Sequence, residues 1–339
     1  MADGIYFLPA MDYRTLGRTE LRVSTLGFGC GNVGGLLVRG RPAERERAVA
    51  RALELGITYF DTAPLYGDGQ SEQHLGQALR ALRADVQVGT KVRVRADQLG
   101  DIPGAVTRSL EESLRRLGRE RVDLLQLHNL ITTARRGSSV STRDALDAAV
   151  PALARLVEQG KTRFIGITAL GDTQAVHEVI DAGVVDTAQV CYNLLNPSAG
   201  HALPSGFPAH DFGRLLARTR AQNMGTIVIR VAAGGALSGV ETRHPIAVPE
   251  VEPIASGPDY KTDVRRARLL EALVAEGHAD SLVEASLRFA IASDAVSTVL
   301  LGYSSLEHLE YAAASVAKGP LPAPAMARLA ELWSRLAAA

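Results

Sequence analysis

The chain has 339 residues, 46% of them apolar, and sets 37 basic side chains against 37 acidic ones for a formal net charge of zero. That balance offers no basic face to nucleic acid or to an anionic membrane surface, and the apolar content suits a soluble globular protein with a sizeable core. The two cysteines, Cys30 and Cys191, lie far apart in apolar runs, so they read as buried free thiols rather than as a disulfide or part of a zinc site.

Met1 to Leu8 lacks the charged start and long apolar stretch of a secretory signal, and no apolar run reaches about 18 residues, so the expected compartment is the cytoplasm. Tyr13–Leu16 and Leu21–Val23 flank Gly17-Arg18-Thr19 as a hairpin, and Ser24 to Cys30 is the first buried strand. Pro42 opens a helix to Glu54, stopped by Gly56 before a second strand from Ile57. A helix over 71–82 leads to the strand 86–91. The helix 103–117, with Val106, Leu110, Leu114 and Leu117 on one face, leads to the strand 122–128. Helices over 145–159, 173–182 and 212–222 precede strands over 163–167, 186–192 and 226–230. Two helices, 261–276 and 281–293, precede the last strand, 297–301.

Eight strands alternate with helices, and each strand is continuously apolar, as a parallel sheet covered on both faces requires. A closed (β/α)8 TIM barrel fits this pattern best. An open doubly wound sheet would want Gly-x-Gly-x-x-Gly after an early strand. Gly27-Phe28-Gly29-Cys30-Gly31 has the wrong spacing, and reads instead as backbone passing close to a ligand. Three connections, 129–143, 193–211 and 238–260, are longer than a barrel needs and are expected to shape the substrate site.

Asp61, Lys91 and His128 fall at the carboxyl ends of the second, third and fourth strands, and Tyr66 on the loop after the second. Each has an ordinary reading alone, as a turn cap, a snorkelling lysine, a satisfied histidine or a loop aromatic. Together they aim four polar groups at the mouth where such barrels do chemistry.

The run Asp61-Thr62-Ala63-Pro64-Leu65-Tyr66-Gly67 resembles the Asp-Thr-Ala-x-x-Tyr-Gly signature of the aldo-keto reductase family, and the resemblance extends from about Tyr13 to about Ala317. It implies one barrel domain over 13–317, with 318–339 left as a C-terminal extension carrying a helix. It also implies that Asp61, Tyr66, Lys91 and His128 are the catalytic tetrad. In that reading Tyr66 protonates the alkoxide formed by hydride addition, and Lys91 lowers its pKa. Asp61 holds Lys91 charged, and His128 donates to the carbonyl oxygen.

The resemblance further implies a nicotinamide cofactor, NADP by family habit with NAD also admitted. Family members hold the nicotinamide with a Ser-Asn pair after the fifth strand, a Gln in the sixth and an aromatic from the seventh. Here Gln189 matches, the pair reads Thr168-Ala169, and the stacking position falls to Arg230, whose planar guanidinium can serve. Gln189 could equally be a buried amide bonded to backbone. Gly234-Gly235-Ala236-Leu237-Ser238 suits pyrophosphate approach or a hinge. Gly302, Tyr303, Ser304 and Ser305 open a helix to about Ala317 that includes His308, with no Arg or Lys before Lys318 to grip a 2′-phosphate. Glu72 is expected near the adenosine end or as a favourable first-turn charge.

The implied function is NAD(P)H-dependent reduction of a small aldehyde or ketone. Its rivals are oxidation of an aldose at C1 with Tyr66 as base, a cofactor-binding subunit that reports redox state, and a Schiff-base aldolase using Lys91. The partner is a small carbonyl or sugar molecule, with no nucleic acid and no membrane. Oligomeric state is left open.

Overall fold

Eight parallel strands close on themselves in chain order: β1 (Leu26–Gly29), β2 (Tyr59–Asp61), β3 (Gln87–Val92), β4 (Val122–Leu127), β5 (Thr162–Thr168), β6 (Thr187–Cys191), β7 (Gly225–Ile229) and β8 (Thr298–Gly302), with β8 pairing back onto β1. The computed structural model describes residues 11–338, so the expectation for Met1 to Leu8 lies outside the described residues. The helices of the outer layer are α1 (Pro42–Glu54), α2 (Gln70–Ala81), α3 (Ile102–Leu117), α4 (Val150–Glu158), α5 (Thr173–Asp181), α6 (Leu215–Ala221), α7 (Tyr260–Arg268), α8 (Leu282–Ile291) and α9 (Leu306–Ala317). After them, α10 (Ala323–Ala338) packs Trp333 beside Phe289 and His201 and donates its indole N–H to Leu194 O at 2.9 Å. No helix among the described residues is long and apolar enough to cross a membrane.

The outer core lies between strands and helices, and local chemistry sets its helix ends. Asp101 caps α3 by accepting from Gly104 N, and Gly118 ends it at φ 62, a conformation that suits glycine. Between them Val106, Leu110, Leu114 and Leu117 are buried along one face. A second, smaller cluster fills the barrel itself. Leu16, Leu21 and Val23 of the hairpin (Tyr13–Thr15 against Arg22–Ser24) plug the amino end and meet Tyr59, Leu124, Ile227 and Leu300 from inside. The lower lumen is therefore mainly apolar, with the buried Thr187 and Thr298 hydroxyls among these groups, and its charged side chains lie toward the carboxyl ends of the strands.

Several expected boundaries shift for identifiable reasons. The 145–159 helix begins earlier, at Thr142 on the Ser141 cap, and passes through a π-turn at Ala145–Ala149. Pro151 has no N–H for the i−4 carbonyl, and Val150 instead donates to Ala145 O. The 212–222 helix shortens because Gly213 (φ 60) and Arg214 (φ 56) are left-handed. The 261–276 helix breaks after Arg268 and resumes at Ala272–Ala275. Gly302 ends β8 rather than opening a helix, and α9 starts behind the Ser305 cap.

The long connections are ordered by their own polar groups. In 129–143, Ile131–Thr132 pairs with Val140–Ser141. In 193–211, Asn193 accepts from Leu195 N and Asn196 N, each at 2.9 Å, and donates to Arg230 O at 2.9 Å. In 238–260, Arg243 donates to Val248 O, Gly234 O and Val33 O, lies over the Tyr260 ring, and ties this connection to the loop after β1.

Candidate active site

Pairing register brings the polar residues level. Asp61 stands opposite Gly29 on one side and Gly89 on the other, Lys91 opposite Gln126, and Gln189 opposite Thr168. The Lys91 ammonium donates to Asp61 Oδ1, to Thr62 O at 2.8 Å and to the Tyr66 hydroxyl at 3.3 Å, which uses all three of its N–H groups. Burial alone would lower the Lys91 pKa, but the Asp61 carboxylate and the Tyr66 phenol outweigh it and the net shift is upward. Lys91 is a fixed cation.

Tyr66 lies half-buried on the loop after β2, with Lys91 Nζ 5.0 Å from its ring centre and Gly31 facing the ring. Its pKa moves opposite to the expectation. Burial of the ring raises it, and the opposing pull of Lys91 does not overcome that. The phenol is therefore protonated at neutral pH and able to donate. His128 follows β4, and its backbone N–H donates to Val92 O at 2.8 Å. Its ring meets Tyr66 edge-on at 6.1 Å, and Nδ1 is buried with no hydrogen-bond partner among the described residues. Burial, then the charges of Lys91 and Arg93, lower its pKa to about 3, so this imidazole is neutral and can offer one N–H.

The second carboxylate oxygen of Asp61 accepts from Tyr59 OH at 3.1 Å, Gln126 Nε2 at 3.2 Å and Gln189 Nε2 at 2.8 Å. Tyr59 and Gln126 were not singled out from sequence, although the signal was there. Tyr59 precedes Asp61 by two and Gln126 precedes His128 by two, so each shares the inward face of its strand. The Gln189 amide is bonded to a carboxylate rather than to backbone, and its Oε1 faces the buried Thr168 hydroxyl at 3.5 Å.

A cleft of about 790 Å³ runs from Arg230 past Gly234, Gly235 and Ser238 to Gly302, Ser304 and His308. Arg230 (φ 57), Gly234 (φ 69) and Gly235 (φ 108) all adopt left-handed backbone, which opens the turn after β7. The Arg230 guanidinium bonds Glu252 O at 3.2 Å. Ala236 and Leu237 are buried behind this turn, and Thr168 and Gln189 lie inside the barrel. The Ser304 hydroxyl donates to Gly34 O at 2.7 Å, and Ser305 Oγ accepts from His308 N as the cap of α9 while its own proton is directed to the Glu307 carboxylate, whose pKa it lowers. His308 lines the cleft edge-on to His244, and burial lowers its pKa, as does His244. Glu72 faces neither the cleft nor solvent. It is fully buried and binds Arg116 Nε at 2.6 Å and the Thr90 hydroxyl. Gly27 and Gly29 serve strand packing, because a methyl on either would press on Leu300 or Leu301 of β8. Among the described residues no group of three or more His, Cys, Asp or Glu side chains gathers as for a metal.

Comparison with known proteins gives one family. The Aldo/keto reductase family model matches residues 25–334. L-galactose dehydrogenase of Arabidopsis thaliana is 30% identical over 314 residues, covering 90% of this chain and 88% of that protein. L-glyceraldehyde 3-phosphate reductase of Escherichia coli K12 is 27% identical, covering 88% and 86%. The holo form of an aldo-keto reductase from Bacillus halodurans superimposes with a TM-score of 0.71 at 27% identity, covering 96% of each chain.

Proposed function

The chain belongs to the aldo/keto reductase family and is an NAD(P)-dependent oxidoreductase, and on that premise we propose that it reduces a small aldehyde or ketone with Tyr66 as the proton donor. The observation that carries the reading is a protonated Tyr66 bonded to a fixed Lys91 cation, with neutral His128 beside it. The same reading makes 13–317 the catalytic domain and 318–339 an extension.

The cleft fits a dinucleotide in shape and chemistry. Left-handed glycines leave its floor bare of side chains, and the Arg230 guanidinium edges the end nearest Tyr66. Arg230 would hold the nicotinamide end, the turn Gly234–Ser238 the pyrophosphate, and Gly302, Ser304, Ser305 and His308 the adenosine end, NADP by family habit with NAD also accepted. Thr168 and Gln189 would meet the carboxamide from inside the barrel. The bound cofactor supplies the hydride.

The protein's part is positioning and protons. His128 donates an N–H to the carbonyl oxygen and orients it. Tyr66 transfers its hydroxyl proton to that oxygen as the carbonyl carbon gains the hydride, and the phenolate left behind is stabilised by Lys91. Asp61 keeps Lys91 charged. A lysine held charged by three acceptors is not a free amine, which argues against the Schiff-base alternative. The likeness to L-galactose dehydrogenase supports a second reading, the reverse reaction on a sugar with Tyr66 as base after losing its proton.

Turnover of NADPH and NADH on a panel of aldehydes, ketones and aldoses, with cofactor binding followed by protein fluorescence, tests the proposal. Turnover abolished in Tyr66→Phe with cofactor affinity kept supports it. Unchanged turnover removes Tyr66 from the mechanism.

A further inference from the structure

We propose that Tyr59 is a positioning residue for the reaction, its phenol holding the far oxygen of Asp61 so that the near oxygen stays on Lys91 and Lys91 stays on Tyr66. The inference rests on the assignment of Tyr66 as proton donor and extends that site inward to the barrel lumen.

Three observations carry it. Asp61 divides its two oxygens by task, with Oδ1 on the ammonium and Oδ2 on the three neutral donors Tyr59, Gln126 and Gln189. Tyr59 is 1% exposed, with its ring in the apolar lumen cluster and its hydroxyl the one polar atom that cluster sends upward. Phenylalanine would fill the same space, so packing does not require the oxygen. The neighbouring strand is built around that oxygen. Gly89, opposite Asp61 on β3, has no side chain, and a methyl there would collide with the Tyr59 hydroxyl.

A carboxylate can pivot about its bond, and donors on both oxygens stop the pivot. Without the Tyr59 bond, Oδ2 carries more uncompensated charge and Asp61 loses part of its orientation. Burial and the Asp61 charge both push the Tyr59 phenol well above its usual value, so it remains a donor wherever the enzyme is assayed. The charged and titratable groups facing this network are Lys91 on β3, Tyr66 on its loop, Cys30 beyond β1, His128 beyond β4 with Arg93 behind it, Arg230 beyond β7, and Asp123 at the far end of β4. Asp61 raises the Tyr66 pKa and Lys91 lowers it. Removing a donor from Asp61 strengthens the raising influence, so Tyr66 would hold its proton to higher pH.

The test is Tyr59→Phe, with Gly89→Ala and the double variant alongside Tyr66→Phe. In Tyr59→Phe, kcat is expected to fall about tenfold, the scale of one hydrogen bond to a charged group, with cofactor Kd within about twofold of wild type. The alkaline limb of the kcat/KM profile should move up by roughly half a unit or more. Gly89→Ala should reproduce that shift, and the double variant should lose less than the product of the two single losses. An unmoved alkaline limb in Tyr59→Phe, while Tyr66→Phe is inactive, overturns the role of Tyr59 alone. Full turnover in Tyr66→Phe overturns the underlying assignment and the proposal with it.

Discussion

Lys91 and Asp61 form an ion pair with side chains only 1% and 4% exposed, above a lower lumen filled mainly by aliphatic and aromatic groups. A pair taken so far from water is weak evidence for stability, because desolvation offsets the attraction. Its persistence here is explained by what Lys91 also touches, the Tyr66 hydroxyl. Either charge left alone in that position is costly. Asp61→Asn should therefore lower unfolding free energy by about 3–5 kcal/mol and turnover by at least about a hundredfold. Asp61→Asn combined with Lys91→Met should regain much of the stability and none of the turnover. Urea denaturation read beside kcat checks both, and a double variant no more stable than Asp61→Asn would contradict the account.

On the proposed mechanism, Tyr66→Phe removes the transferable proton and leaves the ring against His128. The expected loss in kcat is about a hundredfold to ten-thousandfold, the range of a general acid, with a smaller change in substrate KM. Steady-state kinetics with fluorescence-measured cofactor affinity separates this from a binding defect. Parallel losses of affinity and rate would point to collapse of the loop after β2.

His128 links stability to pH. An unfolded imidazole titrates near 6.5 and the folded one near 3, so between those values the unfolded chain binds a proton that the native chain does not. Stability contributed by the neutral, buried ring is full above about pH 6.5 and declines as pH falls toward 3, by at most roughly 1.4 kcal/mol per unit. His128→Gln, which cannot take up that proton, should flatten the decline. Urea midpoints of both proteins from pH 7 to pH 5 measure the difference, and equal slopes would show that His128 is not the group responsible.

The barrel was legible because each strand is a short apolar run between turn signals, and because Asp61, Lys91 and His128 are polar residues set where those runs end. What Asp61 does with its second oxygen was not legible. Tyr59 and Gln126 look like ordinary strand residues until closure of the barrel brings β2, β4 and β6 around one carboxylate. Glu72 was legible in part: it is the acid of the first turn of α2, one of its two expected places, but its buried pairing was not. Its partner Arg116 is 44 residues away on α3, and helix-end chemistry carries no trace of it. The Tyr66 shift reversed because the lysine's pull could be read from sequence but the depth of burial could not. The π-turn before α4 is local, written in Pro151, and was readable in principle.

Cofactor choice follows from hydroxyls that are already engaged. Ser304 bonds the Gly34 carbonyl and Ser305 caps α9 with its proton toward Glu307, so the end of the cleft proposed for adenosine presents His308, whose charged form is disfavoured by burial and by His244. No fixed cation of α9 precedes Lys318, and Lys318 is bonded to Asp280 and Glu284. A 2′-phosphate would gain little there beyond the helix end itself. The expected dissociation constants for NADPH and NADH therefore lie within about tenfold of each other at neutral pH, a narrow margin on the scale of one charge-assisted hydrogen bond. His308→Arg supplies the missing cation and should tighten NADPH by about tenfold or more while leaving NADH nearly unchanged. Fluorescence titration of both proteins with both cofactors decides it. A wild-type preference for NADPH of a hundredfold or more would mean that another group grips the phosphate, and Arg243, which also lines the cleft, would be the first to replace.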